Sequence, residues 1–241
     1  MMNRDVAPDD WLERTRSAWN ERASSWDRMH REVDATWVAD KERMLAALAI
    51  RPGERALDAG CGPGQWAVVL AQAGATVTAT DLSPEMLKYA ARRAAEAGVT
   101  LDLREGDVLA QTLALPAGAF DIIHCRCVLQ FTHDLVAVLE AFARALAPGG
   151  RLLTAVPGAL SPIYRDSYRR FLEPQANNRV NPLELERLLE ALGWQVRDGW
   201  GIYTTAGNGE PNAFTEPDVL RLPKPLQQAA ATYWVTLATR S

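Results

Sequence analysis

Histidine and cysteine are scarce in this chain of 241 residues, with three of each. Cys61, Cys125 and Cys127 form no C-x-x-C pair, so neither a disulfide framework nor a zinc site is indicated, and no metal is expected. General-base chemistry has few imidazoles to draw on: His30, His124 and His133. No apolar run approaches a membrane span, and the opening residues MMNRDVAPDD lack the apolar segment of a secretory leader. The expectation is a cytoplasmic protein without a membrane partner. There is no excess of positive charge either. The formal net charge of −4 argues against a nucleic acid as main partner. Internal repeats and low-complexity tracts are missing as well.

What is present is the composition of a globular domain, 48 % hydrophobic and 23 % charged, with enough apolar residues for a full core. The informative stretch is Ala56–Asp81, reading ALDAGCGPGQWAVVLAQAGATVTATD. A short strand ends in Asp58, a loop carries Gly60, Gly62 and Gly64, a helix spans Gln65–Ala73, and a second strand, Thr76–Thr80, runs into Asp81. That is half of a nucleotide-binding α/β unit. Residues without a Cβ let a ligand approach the main chain, so three glycines at alternate positions make a loop that wraps around something. The charges say what. Asp58 just before the loop repels a pyrophosphate and attracts a cationic head, whereas a phosphate site would use the helix N-terminus with nothing negative ahead of it. Asp81, about 20 residues beyond Gly60, has the spacing of an acid that accepts hydrogen bonds from a ribose diol. A third glycine at position 65 would fit a dinucleotide oxidoreductase, but that position is Gln65.

Asp58-Ala59-Gly60-Cys61-Gly62-Pro63-Gly64 resembles the first motif, acid-x-Gly-x-Gly-x-Gly, of the class I S-adenosylmethionine-dependent methyltransferases. Further marks of that family recur in order: Phe120-Asp121 opening an apolar fourth strand, then the Asp134–Leu146 amphipathic helix, Pro148-Gly149-Gly150 and the strand Arg151–Val156. The resemblance covers about 55–240. It implies a Rossmann-like α/β three-layer sandwich whose seven-stranded, mostly parallel sheet has an antiparallel last strand at Thr232–Thr239. It also implies S-adenosylmethionine as cofactor, S-adenosylhomocysteine as product, and a small-molecule acceptor. By the same resemblance Leu82 and Met86 lie against the adenine, and Asp107 and Val108 meet its edge. Cys125 would touch the methionine portion through its backbone, and Trp26 would close over the ligand.

The domain plan expected is a helical extension over residues 1–50 followed by a binding domain over 51–241, with inserts at 157–180 and 203–225. Trp11, Trp19 and Trp26 fall on one stripe of a helix at Asp9–His30. That stripe is either packed on the domain face or, as the resemblance implies, a lid. Ser83 is placed to cap a following helix with Pro84 at its first position. His124, inside an apolar run, reads as a hydrogen-bonded core residue. His133 is the candidate catalytic base, with helix capping as the other reading, since related enzymes often carry their histidine where Gln130 or Phe131 stands here. Methyl transfer is a displacement that alignment alone can accelerate, so a base is optional. A nucleic-acid or protein methyltransferase, or a non-catalytic binder of the cofactor, stay as alternatives. The Asn/Asp-Pro-Pro-aromatic motif of base aminomethylation is missing at His124-Cys125-Arg126-Cys127. A monomer or a homodimer is expected.

Overall fold

The computed structural model describes residues 6–31, 34–173, 175–204 and 211–240. The glycine-loop unit consists of β1 (Arg55–Ala59), α3 (Gln65–Gln72) and β2 (Thr76–Asp81), preceded by α1 (Pro8–Met29) and α2 (Ala35–Leu48). After it come α4 (Pro84–Ala97), β3 (Leu101–Glu105), α5 (Val108–Leu113), β4 (Phe120–Arg126), α6 (Leu135–Ala145) and β5 (Leu146–Pro157). The last third holds α7 (Pro182–Ala191), β6 (Trp194–Ile202), the short α8 (Glu216–Val219) and α9 (Lys224–Ala230), and β7 (Tyr233–Arg240).

The strands form one sheet in the order β3-β2-β1-β4-β5-β7-β6, with β7 antiparallel to both neighbours and the other pairings parallel. Parallel strands covered on both faces read as near-continuous apolar runs, and Phe120-Asp121-Ile122-Ile123-His124-Cys125 follows that rule. Successive side chains go to opposite faces. Ile122 therefore joins Met44, Leu48, Leu70 and Trp200 on the face carrying α2 and α3, whereas Ile123 and Cys125 join Leu139, Phe142 and Leu189 on the other. The strand order reverses between β1 and β4, and a crevice opens outside the carboxyl ends of such strands.

Local chemistry sets the helix starts. Ser83 accepts a hydrogen bond from the Met86 amide at 3.1 Å with Pro84 in the first turn, and Gly98, at φ 66°, closes α4 in the left-handed region. Asn181 and Glu184 form a reciprocal capping box on α7. Three elements depart from the sequence reading. Asp107 initiates α5, a helix the sequence reading did not contain, its Oδ2 accepting from Leu109 N and Ala110 N. β5 starts at Leu146 and carries Pro148-Gly149-Gly150 within it, with an irregularity in its pairing between Phe120 and Ile122 of β4. The two inserts hold helical turns, Pro162–Tyr164 and Ser167–Phe171 in the first and α8 and α9 in the second. Residues 205–210 of the second lie outside the described residues.

Candidate active site

The crevice is a cleft of about 730 Å³ including its open mouth, walled by the ends of β1 to β4 and by α1. Its floor begins at the glycine loop. Gly60 N and Cys61 N both donate to Thr80 O at 2.8 Å, tying the end of β1 to β2. Gly60 has φ 75°, and a Cβ there would sit 2.2 Å from Val128 Cγ2, so the position accepts only glycine. Gly62 has φ 54°, and its side-chain direction meets only Trp26 Nε1 at 3.9 Å, which leaves space beside it for a ligand.

Asp81 is fixed by the same loop. Its Oδ2 accepts from Gly62 N at 2.8 Å and its Oδ1 from Ser83 N at 2.9 Å. Each oxygen keeps a lone pair for a further donor. Burial pushes the carboxyl up to about 6, and the nearby Asp58 charge adds to the rise while the Ser83, Gly62 and Leu82 amides oppose it. Leu82, Met86, Asp107 and Val108 line the same cleft. Asp107 spends Oδ2 on the α5 cap, leaving Oδ1 for a ligand.

The roof is aromatic. Trp19 and Trp26 meet edge-to-face with centroids 5.2 Å apart, and Trp19 meets Phe131 the same way at 5.3 Å. Trp11, 2 % exposed, anchors the helix by donating from Nε1 to Phe131 O at 2.6 Å. At its other end Asp27 accepts from Arg31 and Arg92 on Oδ2 and from Arg93 on Oδ1. Burial disfavours the Asp27 charge, but Arg93 and Arg31 outweigh it and hold the carboxyl below its ordinary value. Ser83 Oγ donates to Asn20 Oδ1 at 2.6 Å, a third tie between α1 and the sheet side.

Of the residues singled out in sequence, the structure brings Gly60, Gly62, Asp81, Leu82, Met86, Asp107, Val108 and Trp26 together on the cleft walls. Three stand elsewhere. Asp58 is 2 % exposed behind the glycine loop, 2.8 Å from His124 Nδ1 through Oδ1, with Oδ2 unpartnered. Its Oδ1 is therefore engaged by an imidazole, and His124 is the core residue expected. Cys125 is fully buried on the far face, its carbonyl accepting from Thr154 Oγ1 at 2.8 Å, and burial raises its thiol well above the ordinary range. His133 is exposed, its ring edge-on to Trp11 at 5.4 Å and away from the cleft walls, because Asp134 beside it turns the chain to cap α6. The capping reading of that segment is the one the geometry fits.

The segment after β4, which the sequence places beside the site, supplies Cys127, Val128 and Phe131 to the walls, and Thr15 of α1 joins them without any signal of its own in the sequence. Cys127 takes φ 57°, uncommon for a non-glycine residue, so that the chain turns inward after β4. No sequence signal announces a left-handed cysteine. Among the described residues no cluster of metal-ligating side chains occurs, and no helix is long and apolar enough to cross a membrane.

A seven-stranded sheet whose strand order reverses between β1 and β4 and whose last strand is antiparallel, with Asp81 closing β2 and a glycine loop following β1, defines the class I methyltransferase architecture. The comparisons agree. The family model described as a methyltransferase domain matches residues 56–150. A ubiquinone biosynthesis O-methyltransferase of Xanthomonas campestris is 34 % identical over 167 residues, covering 66 % of this chain and 70 % of that one. One from Xylella fastidiosa is 41 % identical over 159 residues, covering 62 % of this chain and 64 % of its own. The chain thus spans about two thirds of the length of the curated relatives it matches. In three dimensions the magnesium protoporphyrin IX methyltransferase of Synechocystis PCC 6803, solved with bound S-adenosylhomocysteine, superposes with TM-score 0.67 at 20 % identity, covering 96 % of this chain and all of that one. The chain belongs to the class I S-adenosylmethionine-dependent methyltransferases.

Proposed function

We propose that this protein binds S-adenosylmethionine in the cleft and transfers its methyl group to an apolar small-molecule acceptor seated beneath α1. The observation that carries the reading is Asp81, whose two oxygens are locked by Gly62 N and Ser83 N on a wall that a ribose diol would face. The fit of the remaining residues supports it. Gly60 and Gly62 line the cleft, Leu82, Met86 and Val108 offer apolar contact to an adenine, and Asp107 Oδ1 is free for an exocyclic amine. The cofactor, when bound, supplies an electrophilic sulfonium methyl.

The chain's own contribution is alignment and exclusion of water. Trp19, Trp26 and Phe131 bring ring faces and edges to the reacting region, where they pack an apolar acceptor and tolerate a cation. No histidine lies on the walls, so His133 is not needed as base and the displacement relies on positioning. Oxygen as the acceptor atom is favoured by the O-methyltransferase relatives, and an aromatic or isoprenoid acceptor by the apolar walls at Leu12, Val128 and Phe131.

Side-by-side calorimetry with S-adenosylmethionine, S-adenosylhomocysteine and NAD tests the reading. Binding of the first two without NAD is expected, followed by methyl-label transfer to hydroxylated aromatic acceptors. Binding of NAD alone would overturn it.

A further inference from the structure

We propose that the Arg126 guanidinium is the anchor for the carboxylate of the cofactor's amino-acid tail, with Asp40 and Trp66 as the residues that aim it. The inference rests on the cofactor reading above and names a contact that reading does not contain.

Arg126 ends β4, and by strand alternation its side chain shares the α2 and α3 face with Ile122 and His124. The side chain is 10 % exposed and the residue lines the cleft. Its Nη2 pairs with Asp40 Oδ2 at 2.7 Å, and Asp40 is itself held by Trp200 Nε1, which donates to Oδ1 at 3.0 Å. Trp66, in the first turn of α3 after the glycine loop, lies with its ring centroid 4.4 Å from Arg126 Cζ. These contacts fix the guanidinium plane. They leave Nη1 buried with no acceptor among the described residues. A buried guanidinium nitrogen without a partner is costly and calls for an acceptor, for which an anion is the strongest.

Position and charge identify that anion. The strands run β3-β2-β1-β4, with Asp107 after the first, Asp81 at the second, the glycine loop after the third and Arg126 at the fourth. A ligand with its base near Asp107 and its ribose on Asp81 lays its tail across Gly60 and Gly62 toward β4. Arg126 is the single cationic side chain among the described residues lining the cleft, facing two acids, Asp81 and Asp107. The carboxylate is the single anionic group of the cofactor. A planar fork with one nitrogen committed to Asp40 and one open matches it.

The test is titration of S-adenosylhomocysteine and of its decarboxylated analogue, which keeps the ammonium and loses only the carboxylate, into wild type, Arg126→Gln and Arg126→Lys. Wild type should prefer S-adenosylhomocysteine by roughly 10- to 100-fold, the range of a charge-assisted hydrogen bond. Arg126→Gln should lose that preference while binding the analogue within threefold of wild type. Arg126→Lys, which keeps the charge without the fork, should fall between. Equal wild-type affinity for the two ligands overturns the anchor without recourse to any variant, and so does an equal loss for both ligands in Arg126→Gln. If neither ligand binds wild type, the cofactor reading itself fails.

Discussion

At the residue scale, the proposed ribose contact of Asp81 would couple cofactor binding to pH. Its carboxyl, held near 6 by burial against an ordinary value of 3.8, binds a proton more tightly in the folded than in the unfolded chain. In the ligand-free protein this group's contribution to stability is therefore complete below about 4 and is lost as pH rises through about 6. A ribose diol donates to the ionised form, so binding opposes that proton. Cofactor affinity should fall as pH drops below about 6, and titration there in two buffers of different ionisation enthalpy should show proton release. Asp81→Asn should weaken binding by about 10- to 100-fold and flatten the pH profile; an unchanged profile would sink the assignment. His133, exposed and turned toward Trp11, gives the opposite expectation. His133→Ala should leave kcat within about threefold, since general-base removal typically costs 100-fold or more. These two residues also mark how far the sequence could be read. Asp81 was legible because its spacing from Gly60 is a local property of one strand-helix-strand unit. Asp58 and His133 were not, because their side chains are directed by His124, far along the chain, and by Trp11, on another helix.

At the scale of elements, α1 forms one wall of the cleft. Two of its three tryptophans face the ligand space, and the helix is fastened by Trp11 at one end and by the Asp27 cluster on α4 at the other. Asp27 is 4 % exposed, and Asp27→Asn removes the charge that Arg93 and Arg92 share. Loss of such a pair costs roughly 1–3 kcal/mol when its cations remain partly wet. The cost should fall locally on α1. Hydrogen exchange over residues 8–29 should accelerate in Asp27→Asn with the sheet strands unaffected, and uniform acceleration would show that the cluster supports the whole fold instead. The helix itself was legible from its tryptophan stripe. The ion cluster that docks it was not, because Asp27, Arg92 and Arg93 have nothing in their local sequence that pairs them, and α5 stayed hidden because its six residues are too few to show a helical period.

At the scale of the whole molecule, the cleft joins parts that have no other reason to act together. Three glycines, an acid at each of two strand ends and an apolar fourth strand announce a class I sheet, and the sheet order then dictates where the crevice opens. The roof is supplied by a helix near the beginning of the chain, contacting segments more than a hundred residues downstream. A ligand in the cleft therefore bridges α1 to the ends of β1, β2, β3 and β4. Anything that binds the folded state alone stabilises it by mass action, about 2.7 kcal/mol at a concentration one hundred times the dissociation constant. For a chain of this length each kcal/mol raises the melting temperature by about 2–4 °C. S-adenosylhomocysteine at that excess should raise Tm by roughly 5–10 °C. Because α1 walls the cleft, the ligand should also slow hydrogen exchange in residues 8–29 more than in β6 and β7, which lie beyond the cleft. A Tm rise with protection confined to the sheet would mean that the cofactor sits on the glycine loop without engaging Trp19 and Trp26, and the roof would then serve the acceptor alone.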